Sequence, residues 1–191
     1  MKNILIIDGH PDEKSLCASM ALHYMTGARH AGYETKLIKL RELEFDLNLH
    51  YGYRERTYLE PDLLETIEYM KDADHLVFVY PTWWGTFPAL FKGFIYRTFL
   101  PGITYTRSAG HKWGKLLKGK TGSIITTMDA PLWYNRFYYK KPGNNALKKA
   151  TLQYCGVKRV KITAFSPIKS STDEKRKKWI SEIEQLGIQG K

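Results

Sequence analysis

Three short segments of the chain carry the residue types that could bind an anion or a flat ring. In residues 9–18, His10 and Lys14 are hydrogen-bond donors, and Ser15 can cap a helix that starts directly after it. The free N–H groups at a helix start attract anions, so this segment could hold a phosphate. It contains neither a P-loop nor a Gly-x-Gly-x-x-Gly pattern. A helix that Ser15 simply caps, beside a surface His10, is an equally good interpretation of the segment taken alone.

The second segment, residues 80–88, places two adjacent tryptophans between prolines and beside a glycine. Rigid aromatic walls with free backbone N–H groups suit a large flat heterocycle, so Trp83 and Trp84 are candidates for ring binding. In the alternative interpretation, one tryptophan packs into the core while the other meets a partner subunit.

The third segment, residues 126–134, begins with the hydroxyls of Thr126 and Thr127 and continues rich in aromatic residues to Tyr139. This composition predicts either a roof over a cleft or a dimer surface. Asp129, within the segment, could hydrogen-bond a substrate or cap the turn that follows.

Alternating strand and helix patterns predict how these segments are positioned. Short apolar runs predict strands near residues 4–7, 34–40, 75–80, 122–128 and 157–164. Helical spacing, with caps at Asn145 and in the segment 171–174, predicts helices near residues 16–28, 61–70, 87–98, 145–154 and 171–186. A repeated strand–helix unit predicts an α/β fold, with a parallel sheet and helices on both faces. Neither a repeat nor a linker divides the chain, so residues 1–191 are predicted to be a single domain.

The distribution of charge predicts the order of the strands. The first, third and fourth strands lack charges in their centres, whereas the second and fifth carry Lys36, Lys39, Lys158, Arg159 and Lys161. Charged strands belong at sheet edges, where they oppose edge-to-edge pairing. The doubly wound five-stranded order 2-1-3-4-5 puts them there, and ligands of such sheets bind outside the carboxyl ends of the strands.

Composition excludes several classes of protein. With 43% hydrophobic and 14% aromatic residues, the chain is too apolar to be disordered. No apolar run approaches the about 20 residues that span a bilayer, and the start of the chain lacks a signal peptide, so a cytoplasmic location is predicted. The two cysteines form neither a metal-binding nor a redox spacing. The net charge of +11 indicates an anionic ligand or partner.

Residues 80–93 form the most specific motif in the chain. The motif reads Tyr-Pro-Thr-Trp-Trp-Gly-Thr-Phe-Pro-Ala-Leu-Phe-Lys-Gly, with its last six residues opening a helix. Together with the segment from His10 to Leu16 and the Thr126–Thr127 pair, it resembles the flavodoxin-like NAD(P)H:quinone oxidoreductase family over nearly the whole chain. The resemblance implies a flavodoxin-like fold, a homodimer and ping-pong transfer of hydride from NAD(P)H through a bound flavin to a quinone or similar aromatic acceptor.

The same resemblance assigns roles to residues of all three segments. The residues implied to hold the flavin phosphate are His10, Ser15, Leu16 and Cys17. Those implied to bracket the ribityl chain and the ring are Pro81, Thr82, Trp83, Trp84 and Gly85. Those implied to complete the cradle around the ring are Thr126, Thr127, Met128 and Asp129. Tyr134 is implied as the catalytic residue that helps to stabilise the reduced flavin.

The chain also departs from the family pattern. Met128 and Asp129 stand where those enzymes carry two glycines, and Lys140 stands at the position of a partner histidine. The large C-terminal extension of the animal enzymes is absent, which favours FMN, with FAD possible. His111 is expected to be a surface residue rather than an acid catalyst, and Cys17 a small packed side chain rather than a nucleophile.

Other functions fit parts of the sequence. Some relatives are regulatory flavoprotein subunits of membrane transporters, so peripheral contact with a transporter is an alternative. The net charge of +11 suggests a nucleic-acid or acidic-partner binding module, but no nucleic-acid motif accompanies it. The same charge disfavours a one-electron carrier of the flavodoxin type, for which an acidic surface is expected. Arg136, Lys140 and Lys141 flank the proposed cleft and could favour NADPH through its 2′-phosphate. No metal site is predicted.

Overall fold

The computed structural model describes residues 1–107 and 113–191, so the prediction for His111 lies outside the described residues. In chain order, the strands are β1 (Asn3–Asp8), β2 (Glu34–Lys39), β3 (His75–Pro81), β4 (Tyr105–Arg107), β5 (Trp113–Lys115), β6 (Thr121–Thr127) and β7 (Lys158–Phe165). The helices are α1 (Leu16–His30), α2 (Pro61–Asp72), α3 (Ala89–Thr98), α4 (Leu132–Phe137), α5 (Pro142–Asn145) and α6 (Asp173–Ile188). A 3₁₀ turn (Leu40–Glu42) follows β2, and a π-helix (Ala146–Gln153) continues α5.

A five-stranded parallel sheet in the order β2-β1-β3-β6-β7 organises the fold. This is the predicted order, with the fourth and fifth predicted strands appearing as β6 and β7. Every residue of β3 is buried, whereas β2 and β7 lie at the edges and expose their charged residues. The prediction from charge is therefore confirmed. The separate antiparallel pair of β4 and β5 was not predicted, because strands of three residues are too short to show a period.

Helices cover both faces of the sheet. Alternate residues of β1 and β3 point to opposite faces, as strand geometry requires. One set, which includes Ile6 and Val79, packs against α1 and α6. The other set, which includes Ile7 and Phe78, packs against α2, α3 and the π-helix. The apolar faces of the helices thus hold the sheet rigid beneath the loops at its carboxyl edge.

One predicted helix start is wrong. Asn145 does not cap a helix: the chain already turns helical at Pro142, whose ring suits a first helical position, and the Asn145 amide donates to the Lys140 carbonyl. At α6 the cap lies in the predicted segment 171–174: it is Thr172, whose hydroxyl accepts the N–H of Lys175 at 3.3 Å, rather than Ser171. The Ser171 hydroxyl is engaged instead with the carbonyl of Ile168.

Candidate functional site

Two adjoining clefts open at the carboxyl ends of β1, β3 and β6. The smaller encloses about 160 Å³ and is lined by His10, Ser15, Leu16, Cys17, Pro81, Thr82, Trp83, Thr127, Met128, Asp129 and Ile168. The larger encloses about 420 Å³ and is lined by Thr82, Trp83, Trp84, Gly85, Met128, Asp129, Ala130, Asn135, Tyr139 and Lys169. All of the predicted cofactor-binding residues except Thr126 therefore line one cleft or the other. Thr126 is completely buried one layer beneath them.

The start of α1 is built to receive a negative charge. The hydroxyl of Ser15 accepts the N–H of Ala18 at 3.1 Å, which caps the helix as predicted. The N–H groups of Leu16 and Cys17, in the same first turn, have no partner within the helix. These two residues line the smaller cleft, so the positive end of the helix borders the cavity.

His10 is held in one orientation at the wall of the smaller cleft. Its Nδ1 accepts the backbone N–H of Asp12 at 2.9 Å, so in the neutral imidazole the proton resides on Nε2. Burial lowers the pKa of His10 below its usual value, although the carboxylates of Asp8 and Asp12 oppose the shift. The Trp83 ring meets the imidazole edge-to-face, with centroids 5.5 Å apart. His10 is therefore a neutral donor through Nε2.

A buried ion pair underlies this loop, and the sequence analysis missed it. Asp8, at the end of β1, is 1% exposed and pairs with the guanidinium of Arg41. The other carboxylate oxygen of Asp8 accepts the N–H of His10 at 3.1 Å. The sequence signal for this ion pair was a carboxylate at the end of an apolar strand, together with a basic residue just past the neighbouring strand β2.

The two tryptophans occupy a tight turn after β3. The backbone groups of Trp83 and Thr86 bond to each other in both directions, with N–O distances of 2.8 and 3.0 Å. Trp84 and Gly85 between them have φ values of 50° and 76°, and the hairpin turns of type I′ require positive φ at both positions. Trp84 is fully exposed and Trp83 is 45% exposed, so neither packs into the core. A non-glycine residue held at positive φ beside a cleft is typical of a functional site.

Hydroxyls tie the second and third segments together. Thr82 and Thr126 lie 2.8 Å apart at their Oγ1 atoms, and the Thr82 N–H donates to the Thr127 carbonyl at 2.7 Å. The hydroxyl of Thr127 lies 3.2 Å from the sulfur of Cys17. Burial raises the pKa of the Cys17 thiol to about 12, so the cysteine stays protonated and packs as a small side chain, as expected.

Met128 and Asp129 make hydrogen bonds to neighbouring elements of the fold. The Met128 N–H donates to the carbonyl of Phe165 at 3.0 Å, which extends the pairing between β6 and β7 by one residue. The Asp129 carboxylate accepts the N–H of Lys169 at 2.8 Å, and the Lys169 ammonium lies 3.8 Å from it. Asp129 therefore fixes the loop between β7 and α6 rather than the turn that follows it.

An aromatic cluster stands beside the larger cleft. The ring of Tyr134 stacks on that of Tyr138, with centroids 4.8 Å apart, and meets that of Tyr139 edge-to-face at 5.0 Å. Desolvation and a hydrogen bond with Tyr139 raise the pKa of the Tyr134 phenol. Tyr139 lines the larger cleft, whereas Tyr134 is not among its lining residues, and Lys140 is exposed. Asn135, which the sequence analysis also missed, completes this wall of the cleft.

The described residues contain neither a membrane-spanning helix nor a cluster that could hold a metal ion. None of the helices in the described ranges is both long enough and apolar enough to cross a membrane. Within the same ranges, no group of three or more His, Cys, Asp or Glu side chains is placed to hold a metal ion.

The chain is similar to several known proteins. It is 27% identical over 182 residues to an uncharacterized NAD(P)H oxidoreductase of Haemophilus influenzae, covering 93% of this chain and 90% of that protein. It is 26% identical to the NAD(P)H dehydrogenase [quinone] 1 of Cavia porcellus, covering 82% of this chain and 65% of that enzyme. Among solved structures, an FMN-dependent NADH-azoreductase of Bacillus anthracis, in complex with FMN, superimposes with a TM-score of 0.75 at 17% identity and covers 99% of both chains.

The sequence as a whole also matches one protein family. Residues 2–186 match Flavodoxin_2, which is described as a flavodoxin-like fold. The match takes in every strand of the parallel sheet and the three loops that form the clefts. The chain therefore belongs to the Flavodoxin_2 family of flavodoxin-like proteins.

Proposed function

We propose that the protein is a flavin-dependent NAD(P)H:quinone oxidoreductase that uses FMN as its cofactor. In this proposal residues 1–191 form a single flavin-binding domain that works in the cytoplasm. The names of the relatives supply the class of reaction, because they include an NAD(P)H oxidoreductase, a quinone-reducing NAD(P)H dehydrogenase and an FMN-dependent azoreductase.

One observation carries the proposal: an anion site and a flat aromatic cleft adjoin each other. The two clefts share Thr82, Trp83, Met128 and Asp129, so a molecule can extend from one into the other. The smaller cleft has the start of α1 and His10 at one end, and the larger has tryptophan and tyrosine rings in its walls. A phosphate linked by a flexible chain to a flat heterocycle matches this succession of surfaces.

The residues present fit FMN. Leu16 and Cys17 supply N–H donors at a helix start, and the Nε2–H of His10 supplies another, which suits a phosphate dianion. The buried thiol of Cys17 is neutral and adds no repelling charge. FMN is the proposed cofactor, because one anion site adjoins the aromatic cleft and a structural relative is described as FMN-dependent.

FMN, when bound, supplies the capacity to accept a hydride from NAD(P)H and to pass it on. The protein positions the ring and excludes water from it. Trp83 and Trp84 form one wall of the larger cleft, and their turn is fixed by its own backbone hydrogen bonds. The hydroxyl of Thr82 is hydrogen-bonded to that of Thr126, which ties this wall to β6.

Negative charge developing at the ring needs hydrogen-bond donors. Tyr134 stays our predicted catalytic residue, and it would act together with Tyr139, whose ring it meets edge-to-face and which lines the cleft. The backbone N–H groups of Asp129 and Ala130 are further candidates. The Met128 N–H is already used by Phe165, so it is not one of them.

One cleft must serve both substrates, so we propose that NAD(P)H and the quinone bind in turn and give ping-pong kinetics. We also propose a homodimer. Trp84, Trp133, Phe137 and Tyr138 are all at least 64% exposed, and large exposed aromatic patches usually mark an interface. A second copy of the chain that covered this patch would also close the larger cleft.

Flavin titration tests the proposal. Purified protein freed of any ligand should quench the fluorescence of added FMN with one site per chain, and sedimentation should report a dimer. Cofactor released from freshly purified protein should run as FMN rather than FAD on chromatography. A protein that arrives colourless and binds no added flavin would contradict the proposal.

A further inference from the structure

Asn135 presents a largely buried side-chain amide that opens to the larger cleft. The residue is only 6% exposed, and its backbone N–H and carbonyl are both used, by Pro131 and Lys141. Among the residues that the structure describes, none hydrogen-bonds the side-chain amide of Asn135. The amide atoms of Asn135 are not among the fully buried polar atoms that lack a partner, so solvent in the cleft reaches them. A molecule that fills the cleft must replace the hydrogen bonds of that solvent, because an amide that loses them without a new partner costs free energy.

A second asparagine on the neighbouring helix shows the contrasting, structural case. Asn144 is 4% exposed, and its side-chain carbonyl accepts a hydrogen bond from the hydroxyl of Tyr80 at 3.0 Å. This pair ties α5 to β3. Asn135 has the same residue type and similar burial, but its side chain lines the larger cleft instead of meeting another element.

Thr82 and Asp129, which line the cleft together with Asn135, are already engaged. Thr82 pairs with Thr126, and Asp129 accepts the backbone N–H of Lys169. The ring of Tyr139 meets that of Tyr134 edge-to-face. In the described wall of the cleft, the amide of Asn135 thus offers an uncommitted donor and acceptor side by side.

We propose that Asn135 recognises a planar amide edge, a C=O beside an N–H, on the molecule that occupies the larger cleft. A side-chain amide presents one donor and one acceptor in a plane, so it can make two parallel hydrogen bonds to such an edge. A quinone carries acceptors only and can use half of this capacity. This inference rests on the proposed function. Two groups can supply the amide edge: the pyrimidine side of the flavin ring and the carboxamide of the nicotinamide.

The test compares Asn135→Leu with Asn144→Leu. Leucine shares the branching of asparagine at Cγ, although it is bulkier, and it removes both donor and acceptor. In the FMN-free protein, Asn135→Leu should change the melting temperature little, because the amide that it removes bonds only to solvent in the open cleft. Asn144→Leu should lower the melting temperature, because it leaves the Tyr80 hydroxyl unpaired. A fall in the melting temperature of Asn135→Leu as large as that of Asn144→Leu would overturn the proposal in favour of a structural role.

Ligand affinity identifies the source of the edge. If the flavin supplies it, Asn135→Leu weakens FMN binding by about tenfold and shifts the flavin midpoint potential. If the nicotinamide supplies it, the FMN dissociation constant is unchanged and the KM for NADPH rises by about tenfold. Both results support the proposal, and Asn144→Leu should produce neither. The proposal is wrong if the FMN dissociation constant and the KM for NADPH both stay within about twofold of the wild type and the flavin midpoint potential does not shift. It is also wrong if only the KM for the quinone changes. Wild-type protein is titrated with FMN first, so a failure of the proposed function is recognised separately.

Discussion

Arg41 and Asp8 form a buried ion pair beneath the loop that leads into α1. The guanidinium donates to the Asp8 carboxylate and, at 3.3 Å, to the carbonyl of His10. Because Asp8 also accepts the N–H of His10, the ion pair is hydrogen-bonded to both the N–H and the carbonyl of His10. The predicted phosphate donors of the loop therefore depend for their position on a residue that follows β2.

We expect Arg41→Met to destabilise the protein by about 3–5 kcal/mol, since it leaves the Asp8 carboxylate buried without its counter-ion. Urea unfolding at neutral pH measures this. Lys39→Met, which removes the exposed Lys39–Glu42 pair, is the control and should cost about 1 kcal/mol or less. An equally small loss of unfolding free energy in both variants would show that the Asp8–Arg41 pair does not stabilise the loop before α1.

Helices α1 and α6 meet through two glycines. A Cβ on Gly27 would lie 2.1 Å from the carbonyl oxygen of Glu184, and one on Gly187 would lie 2.2 Å from that of Tyr24. Either glycine changed to alanine should lower the free energy of unfolding by about 1–3 kcal/mol or more, because the helices must separate. Leu22→Ala, at a half-exposed position of α1, should change it much less. Unfolding in urea compares the three variants, and equal losses would contradict the close approach.

His75 predicts an acid dependence of stability. Its Nδ1 lies 2.6 Å from the Thr121 hydroxyl and its Nε2 lies 3.2 Å from that of Ser123. Burial, assisted by Lys2 and Lys161, lowers its pKa to about 3. In the unfolded chain a histidine has a pKa of about 6.5, so between these values the unfolded state binds a proton that the native state does not.

Stability should therefore fall as the pH drops from about 6.5 towards 3, by up to about 1.4 kcal/mol per pH unit from this residue. His75→Gln should flatten the slope over that range. His30→Gln, at an exposed position, is the control and should leave the slope as in the wild type. Urea unfolding at a series of pH values measures how the free energy of unfolding depends on pH. An unchanged slope in His75→Gln would show that His75 does not cause this dependence.

The basic residues beside the larger cleft predict a preference for NADPH. Lys140 and Lys141 directly follow the cleft residue Tyr139 in the chain, which puts both positive charges close to this end of the cleft. A charge-assisted hydrogen bond to the 2′-phosphate corresponds to about tenfold or more in kcat/KM. Changing both lysines to glutamine should lower kcat/KM for NADPH towards that for NADH. Equal turnover of the two by the wild type would contradict the preference.

Local patterns predicted the sheet and most of the cleft, because both depend on short-range features. Interleaved charges such as Lys36 and Arg159 marked the edge strands, and the turn residues around Trp83 marked the cleft. The pairing of Asp8 with Arg41 was missed because it joins positions 33 residues apart, across two strands, that no local period connects. Asn135 was missed for a related reason: nothing in the sequence says which buried amide finds a partner in the fold and which does not.

The central claim is tested most directly by following the two half-reactions anaerobically in the visible spectrum. For protein loaded with FMN, we predict that NADPH bleaches the flavin absorbance in the absence of an acceptor. Addition of a quinone should then restore the absorbance, with one quinone reduced per NADPH oxidised. A flavin spectrum that neither NADPH nor NADH bleaches, or a bleached protein that no quinone reoxidises, would contradict the account.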